Sequence, residues 1–260
     1  MKILFLGDII GDLGFESVKY FLPILKSKHD YDVLIVNGEN ITRGAGISKR
    51  DYIRLKKIGV DLITLGNHFF VYKDIKEILN SKYDIIRPAN VSNYPGIGFT
   101  FHKVKERQLM VINLMMTKYM TDKVMNPFEW LENKLKEKSI SIDNTAIFID
   151  IHGTCSYEKT VFGTYFDGRV SFIAGTHTHT MTNDYKILPC GTGYISDAGM
   201  CGSYYSCSGA DLKNSIKLFY PKASIVKNNY SEPKKSVSGV YFEINKFNLI
   251  NKLSPIKLYE

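Results

Sequence analysis

Three short apolar segments near the start of the chain each end in polar residues, and each is followed by a helical pattern. The segments are KILFL at 2–6, DVLIV at 32–36 and VDLITL at 60–65. After the first of them, apolar residues recur at the spacing of a helix face, although Pro23 lies inside that helix and predicts a kink. Strands that alternate with helices are typical of parallel sheets. The sequence therefore predicts the α/β fold class, with parallel strands.

Local signals predict where other helices and strands begin and end. Ser48 with Asp51 three residues later resembles a capping box, and Gly59 lies where that helix should end. Asn126 followed by Pro127 predicts the start of another helix. Further strands are predicted as an antiparallel hairpin at 98–104 and 109–115, then at 145–150 and 170–175, and near a sheet edge at 238–259.

The length and composition favour one globular domain covering residues 1–260. The chain is 44% hydrophobic and 23% charged, and it contains no repeat or linker. No apolar run approaches the roughly 20 residues that cross a bilayer, and the first residues lack the apolar region of a signal peptide. The four cysteines form no C-x-x-C pair. We therefore expect a cytoplasmic protein with reduced thiols and no membrane partner.

The net charge of +8 and the isoelectric point of about 9.1 bear on the partners of the protein. A basic balance favours polyanions such as nucleotides or RNA. A lysine-rich solvated surface is the alternative explanation, because the chain has no dense arginine run and no RNA-binding signature. A weak association with RNA and a homo-oligomer both stay open at this point.

Polar side chains with metal-binding chemistry collect where the apolar strands stop. In open α/β sheets, sites lie outside the carboxyl ends of the strands, so we expect these groups to meet at one rim. The later segment GTGYISDAGMCG, with Asp197, is expected to lie near this rim without supplying a ligand. The predicted site residues are Asp8, Glu39, Asn40, Asn67, His68, His152, His177 and His179.

This set of side chains suits divalent transition metals. Carboxylate oxygens and imidazole nitrogens bind iron, manganese or zinc. The sequence has no cysteine cluster, which argues against a structural zinc site. The ligands exceed the needs of one ion, and a carboxylate such as Glu39 can bridge two ions. Taken singly, Asp8 could cap a helix and His152 could be a structural histidine. A dinucleotide loop at GDIIGDLG is disfavoured, because Asp8 would repel a pyrophosphate.

The motifs together resemble the calcineurin-like metallophosphoesterases, and more closely their YmdB-like branch. Ile10 stands where the general superfamily pattern has a first histidine, and Phe69 stands where it has a carboxylate after GNH. Both departures are typical of the YmdB-like form. The resemblance runs through the segments GDIIG, VNGEN, TLGNH, RPAN, DIHG, YFDGRVSFIAGTHTHT, ILPCGTGYISDAGMCG and SGV.

The resemblance implies a four-layer α/β/β/α sandwich and phosphodiesterase activity on 2′,3′-cyclic nucleotides. It also implies two divalent or mixed-valence transition-metal ions, iron or manganese first and zinc as an alternative. Matched motif by motif, it makes Glu39 the bridging ligand and His68 the proton donor. Asp8, Glu39, Asn40 and His179 would hold one ion, and Asn67, His152 and His177 would hold the other.

Two other functions stay open at the level of sequence. One is a phosphomonoesterase or 5′-nucleotidase, because the same metals serve either ester. The other is a regulatory RNA- or protein-binding module with a vestigial site. The intact ligand set favours an enzyme, since phosphodiester hydrolysis needs charge neutralisation, an activated water and an acid for the leaving oxygen. The resemblance makes a nucleotide phosphodiester the expected substrate.

Overall fold

A computed structural model describes residues 1–121, 123–137, 144–223 and 234–260. Thirteen strands are assigned within these residues, in two sheets. In chain order they are β1 (Lys2–Ile9), β2 (Val33–Asn37), β3 (Leu62–Thr64), β4 (Ile85–Ile86), β5 (Phe99–Val104), β6 (Arg107–Met115), β7 (Thr145–His152), β8 (Phe172–Thr176), β9 (Lys186–Ile187), β10 (Gly193–Ile195), β11 (Met200–Ser203), β12 (Lys235–Ile244) and β13 (Ile250–Tyr259).

Two helices of the described residues begin where the local signals predict. Ser48 caps α2 by accepting a hydrogen bond from the Asp51 backbone, and Gly59 after this helix has a φ of 92°. Asn126 caps α4 in the same way. The helices are α1 (Gly11–Lys28), which continues past Pro23, α2 (Lys49–Lys57), α3 (Ile75–Ser81), α4 (Pro127–Leu135), α5 (Ser156–Tyr165) and α6 (Leu212–Phe219).

The two sheets have different strand orders. The first runs β13-β12-β11-β1-β2-β3-β4, with β1, β2, β3 and β4 parallel to one another. The second runs β5-β6-β7-β8-β10-β9, with β6, β7, β8 and β10 parallel. The strands β5 and β6 form the predicted antiparallel hairpin. Of the predicted C-terminal strands, β13 lies at a sheet edge, whereas β12 lies inside the sheet because it pairs with β1, β11 and β13.

Three apolar cores define the layers. The first packs α1, α2 and α3 against one face of the first sheet. The second lies between the sheets, where the ring of Phe172 stacks on Phe242 with centroids 4.0 Å apart and Phe148 packs beside them. The third packs α4 and α5 against the outer face of the second sheet. This is the α/β/β/α sandwich that the resemblance implies.

The strand ends that carry the predicted site residues come from both sheets and meet at one rim. The ends of β1, β2 and β3 belong to the first sheet, whereas the ends of β7 and β8 belong to the second. Since the sheets pack face to face, their carboxyl ends meet, and the predicted site residues lie at this junction. No helix in the described part of the chain is long and apolar enough to cross a membrane.

Candidate metal centre

Glu39 lies at the middle of the junction and is completely buried. One carboxylate oxygen, Oε2, lies 2.5 Å from His152 Nε2, and the other, Oε1, lies 2.9 Å from His68 Nδ1. The backbone N–H of Glu39 donates to Asn37 Oδ1 at 3.0 Å, at the end of β2. The two oxygens therefore face two different side chains, the predicted ligand His152 and the predicted proton donor His68.

The first group surrounds the Nε2 atom of His152, at the end of β7. This nitrogen lies 3.1 Å from Asn67 Oδ1 and 3.0 Å from His177 Nδ1, in addition to the contact with Glu39. One ligand atom from each of Glu39, His152 and His177 falls within 4.8 Å of the others. A single imidazole N–H cannot serve three neighbouring ligand atoms at once. The arrangement therefore fits a cation held between them.

The second group contains Asp8, Asn40 and His179. His179 Nε2 lies 3.1 Å from Asn40 Nδ2 and 3.8 Å from Asp8 Oδ1. Its other ring nitrogen lies 2.8 Å from the Ser208 carbonyl, which orients the ring. The structure thus brings together all seven predicted ligands, although their binding of metal stays a prediction.

Two buried carboxylate oxygens supply a test of whether a metal fits. Asp8 Oδ1 has no hydrogen-bond partner among the described residues, and Glu39 Oε2 has none beyond its close contact with His152 Nε2. A buried polar atom without a partner costs free energy, and a cation would remove that cost. The donors are oxygens and imidazole nitrogens, which borderline divalent ions prefer. The residues present therefore fit divalent metal ions.

Gly66 explains part of the GNH motif that ends β3. A Cβ atom at this position would overlap both Glu39 Oε2 and His152 Nε2. Any residue with a Cβ atom would therefore push the Glu39 carboxylate and the His152 imidazole out of their observed positions. Glycine is required here because the backbone passes directly against the ligand atoms.

His68 lies at the mouth of the site, with its side chain partly exposed. The general superfamily pattern has a carboxylate directly after this histidine, whereas this chain has Phe69. The sequence alone does not identify which other group orients the ring of His68. In the structure, Nδ1 of His68 lies 2.9 Å from Glu39 Oε1 and 3.3 Å from Asn40 Oδ1. Two predicted metal ligands therefore also orient the predicted proton donor.

Burial and neighbouring charges shift the pKa values of the ligands. Burial and the adjacent His152 lower the pKa of His177 to about 3, so its ring is neutral at pH 7 and can act as a ligand. Burial raises the pKa of Asp8 to about 6, against the opposite effect of His179 and His152. For Glu39, burial opposes ionisation, but the neighbouring His152 and His68 hold its pKa below the ordinary value. A bound cation favours ionised carboxylates further.

The loop after β8 carries its two histidines in an unusual backbone conformation. His177 has a φ of 99° and His179 a φ of 61°, both in the left-handed region that non-glycine residues rarely adopt. Such strain persists only where surrounding contacts enforce it. The His177 N–H donates to Asp8 Oδ2 at 3.1 Å, and the Thr178 N–H donates to Asp197 Oδ2 at 3.0 Å. These two carboxylates hold the loop.

A buried lysine supports the same loop, and sequence reasoning missed it. Lys159 Nζ on α5 donates to the Thr176 carbonyl at 2.7 Å and to Asp197 Oδ2 at 3.2 Å. Both charged side chains are almost fully buried. The signal was available, because Lys159 precedes the buried Phe162 and Gly163 by three and four residues on one helix face.

Asp150 was also missed, although it lies directly behind the site. This buried carboxylate accepts hydrogen bonds from Asn37 Nδ2 at 2.9 Å and Thr176 Oγ1 at 2.7 Å, and also from the Thr64 hydroxyl. Thr176 Oγ1 lies 2.9 Å from His152 Nδ1. Asp150 thereby connects β2 and β3 with β7 and β8. Its position two residues before His152, on the same face of β7, was the available signal.

Replacing Asp197 with asparagine tests the support of the loop. Asp197→Asn leaves Lys159 buried without a carboxylate, so the free energy of unfolding should fall by about 3–5 kcal/mol. The number of metal ions per chain should equal that of the wild type under native conditions. Asp197 is not a predicted ligand, because its carboxylate faces backbone N–H groups and a lysine. Guanidinium titration and elemental analysis measure the two quantities.

The control for this variant is Asp30→Asn, which removes an exposed ion pair with Lys2. An exposed pair contributes about 0–1 kcal/mol, so this variant should unfold almost like the wild type. Equal stability of the two variants would contradict the structural role of Asp197. Loss of metal from folded Asp197→Asn protein would show that the predicted ligand set is incomplete.

Comparison with known proteins identifies the relatives of this chain. A family model described as YmdB-like protein matches residues 4–256. A 2′,3′-cyclic-nucleotide 2′-phosphodiesterase from Bacillus subtilis is 38% identical over 246 residues, covering 94% of this chain and 92% of that protein. A crystal structure described as a novel phosphatase from Mycoplasma pneumoniae superposes with a TM-score of 0.89 at 34% identity, covering 100% of this chain and 93% of that one.

A more distant likeness concerns the fold alone. A 5′-nucleotidase precursor from Thermus thermophilus superposes with a TM-score of 0.54 at 12% identity, covering 99% of this chain and 54% of that one. The two-sheet sandwich fold is therefore shared with that 5′-nucleotidase precursor. The family match spans nearly all residues, and the Bacillus subtilis relative is covered over most of its length. The chain belongs to the YmdB-like protein family.

Proposed function

We propose that this protein is a dinuclear metal-dependent phosphodiesterase that hydrolyses 2′,3′-cyclic nucleotides. The observation that carries the proposal is the buried cluster at the sheet junction, in which Glu39 faces His152 with one oxygen and His68 with the other. The name of the Bacillus subtilis relative supplies the substrate class. A phosphoric ester is the chemistry that a paired cation site with an adjacent imidazole serves best.

Each metal position has its own ligands in this proposal. Two divalent cations would neutralise the phosphoryl oxygens and activate the attacking water. Iron or manganese suits the mixed oxygen and nitrogen donors, and zinc is the alternative. Glu39 contributes to both positions. One position is assigned to Asp8, Glu39, Asn40 and His179, and the other to Glu39, Asn67, His152 and His177.

The protein itself supplies the acid in this proposal. Opening a cyclic phosphate releases a ribose oxygen, which is a poor leaving group without a proton. Histidine carries a proton near neutral pH more readily than other side chains. Glu39 and Asn40 hold the ring of His68 through Nδ1, and Nε2 is the atom assigned to donate the proton.

A phosphomonoesterase is the second candidate, because the Mycoplasma pneumoniae structure is described as a phosphatase. The likeness to the 5′-nucleotidase precursor covers only 54% of that protein, so it supports the fold and not its substrate. A regulatory module with a vestigial site is disfavoured by the complete set of converging side chains. The four cysteines form no disulfide, which suits the proposed cytoplasmic location. We also propose that residues 1–260 form a single domain.

The wild-type protein, supplied with Mn²⁺ or Fe²⁺, is expected to hydrolyse 2′,3′-cyclic AMP to a single adenosine monophosphate. Phosphorus NMR identifies the product, and parallel assays use 5′-AMP and bis-p-nitrophenyl phosphate. A chelator should abolish turnover, and added Mn²⁺ should restore it. A Glu39→Ala preparation controls for contaminating enzymes. Turnover of 5′-AMP alone would establish the phosphomonoesterase instead, and no turnover of any ester would favour the binding module.

A further inference from the structure

A cavity of about 200 Å³ opens beside the candidate metal centre. Asn67, a predicted metal ligand, forms part of its wall. The remaining lining is largely apolar and aromatic, with one lysine. A ligand group in this cavity would therefore lie next to the place where the proposed phosphate is held. Its walls include Asn67, Phe70, Val91, Tyr94, Met115 and Lys123.

Two aromatic side chains form part of the wall of this cavity. Phe70 is 49% exposed and Tyr94 is 45% exposed, so both rings present part of their surface to solvent. Their ring centroids lie 5.8 Å apart, with planes inclined by 31°. Phe69 is buried behind them and meets both rings edge-on, at 5.4 Å and 5.1 Å. Packing against Phe69 fixes the orientation of the two exposed rings.

Arg87 holds the loop that carries Tyr94. Its guanidinium group donates hydrogen bonds to the carbonyls of Pro88, Val91 and Tyr94 at 2.7–2.8 Å. Its Nε donates to the Pro95 carbonyl at 3.0 Å. Four backbone carbonyls of one loop are thus held by one buried side chain, so Val91 and Tyr94 have defined positions in the wall.

Asn90 holds the opposite wall in a similar way. Its side-chain amide donates to the carbonyls of Met115 at 2.7 Å and Met125 at 2.8 Å, and its oxygen accepts from the Met115 N–H at 2.9 Å. These contacts join the loop to the end of β6 and to the segment that carries Lys123. The RPAN segment at 87–90, which the metal chemistry leaves unexplained, is therefore the frame of this cavity.

We propose that this cavity is the nucleobase subsite, with the base of the substrate stacked on Phe70 and Tyr94. The inference rests on the proposed function, and it deepens it by naming the part of the substrate that gives specificity. Every base presents a flat π face, so stacking accepts purines and pyrimidines alike. The enzyme then selects nucleotides over base-free cyclic phosphates, with little distinction among the bases.

The kinetic test compares two cyclic phosphates that differ only by the base. They are 2′,3′-cyclic AMP and methyl β-ribofuranoside 2′,3′-cyclic phosphate. Phe70→Ala and Tyr94→Ala should each lower kcat/KM for cyclic AMP by about 5- to 100-fold, mainly through KM, and leave the base-free ester unchanged. Phe70→Tyr should keep the wild-type preference. Phe101→Ala, at a phenylalanine of β5 that is 43% exposed, is the matched control.

A binding measurement separates this inference from the proposed function. Calorimetry on Mn²⁺-loaded protein compares adenosine 3′-monophosphate with methyl β-ribofuranoside 3-phosphate. The wild type should bind the nucleotide more tightly, and Phe70→Ala should lose that preference even if neither cyclic ester turns over. In that case the phosphodiesterase proposal fails and the base subsite stands. No preference in the wild type, or a preference that survives in both alanine variants, would overturn the subsite.

Discussion

The variant Glu39→Ala should lose both metal ions and all hydrolytic activity. The buried carboxylate faces His152 with Oε2 and His68 with Oε1, and it is assigned to both metal positions. Removing it leaves each position without the oxygen that bridges them. Wild-type protein purified without chelator should contain about two ions per chain, as expected for a dinuclear site. Elemental analysis of wild type and variant measures the difference.

Asn67→Ala is the comparison for this experiment. Asn67 Oδ1 lies 3.1 Å from His152 Nε2 and belongs to one group of ligands. Its loss should weaken mainly one ion, so the two variants should differ in stoichiometry. A wild type that binds a single ion at full occupancy would contradict the dinuclear proposal. Retention of both ions by folded Glu39→Ala protein would contradict the bridging role.

The variant His68→Ala should keep both metals and lose about 10²- to 10⁴-fold in turnover of 2′,3′-cyclic AMP, the usual contribution of positioned acid catalysis. The loss should be much smaller with bis-p-nitrophenyl phosphate, because a phenolate leaves without a proton. Steady-state rates on the two esters, with metal content measured on the same samples, provide the test.

His102→Ala is the matched control, since His102 lies on β5 and belongs to no group of ligands. It should be as active as the wild type on both esters. Equal fractional losses on the two esters for His68→Ala would show that His68 is not the acid. Loss of metal from this variant would assign it a structural role, because its Nδ1 also contacts Glu39 and Asn40.

Local signals in the sequence were enough to predict several elements of the fold. Ser48 and Asn126 accept hydrogen bonds from the first turns of their helices, which depends only on neighbouring residues. The strand ends were equally visible, since Glu39, Asn67 and His152 each follow or end an apolar run. The resemblance then supplied the two-sheet architecture, which the three apolar cores confirm.

Contacts between distant parts of the chain could not be predicted in this way. The strand β12 lies inside the first sheet because residues more than 200 positions apart pair, as Lys2 does with Glu243. The group that orients His68 is likewise determined by tertiary packing. The positions of Lys159 and Asp150 on apolar faces were visible in the sequence, but charged side chains usually lie on the surface, and only the folded structure gives these two their buried partners.

The predicted ligands are divided between the two sheets, which would couple metal binding at the proposed site to the packing of the sheets. Asp8, Glu39, Asn40 and Asn67 come with the first sheet, and the three histidines come with the second. Asp150 joins the sheets directly behind these ligands through Asn37, Thr64 and Thr176. Neither sheet alone can hold the complete predicted set, so metal binding at the proposed site would require both sheets to be folded and packed together. A bound ion would then stabilise the packed state over partly folded ones, and the proposed activity would arise in the same step as the tertiary structure.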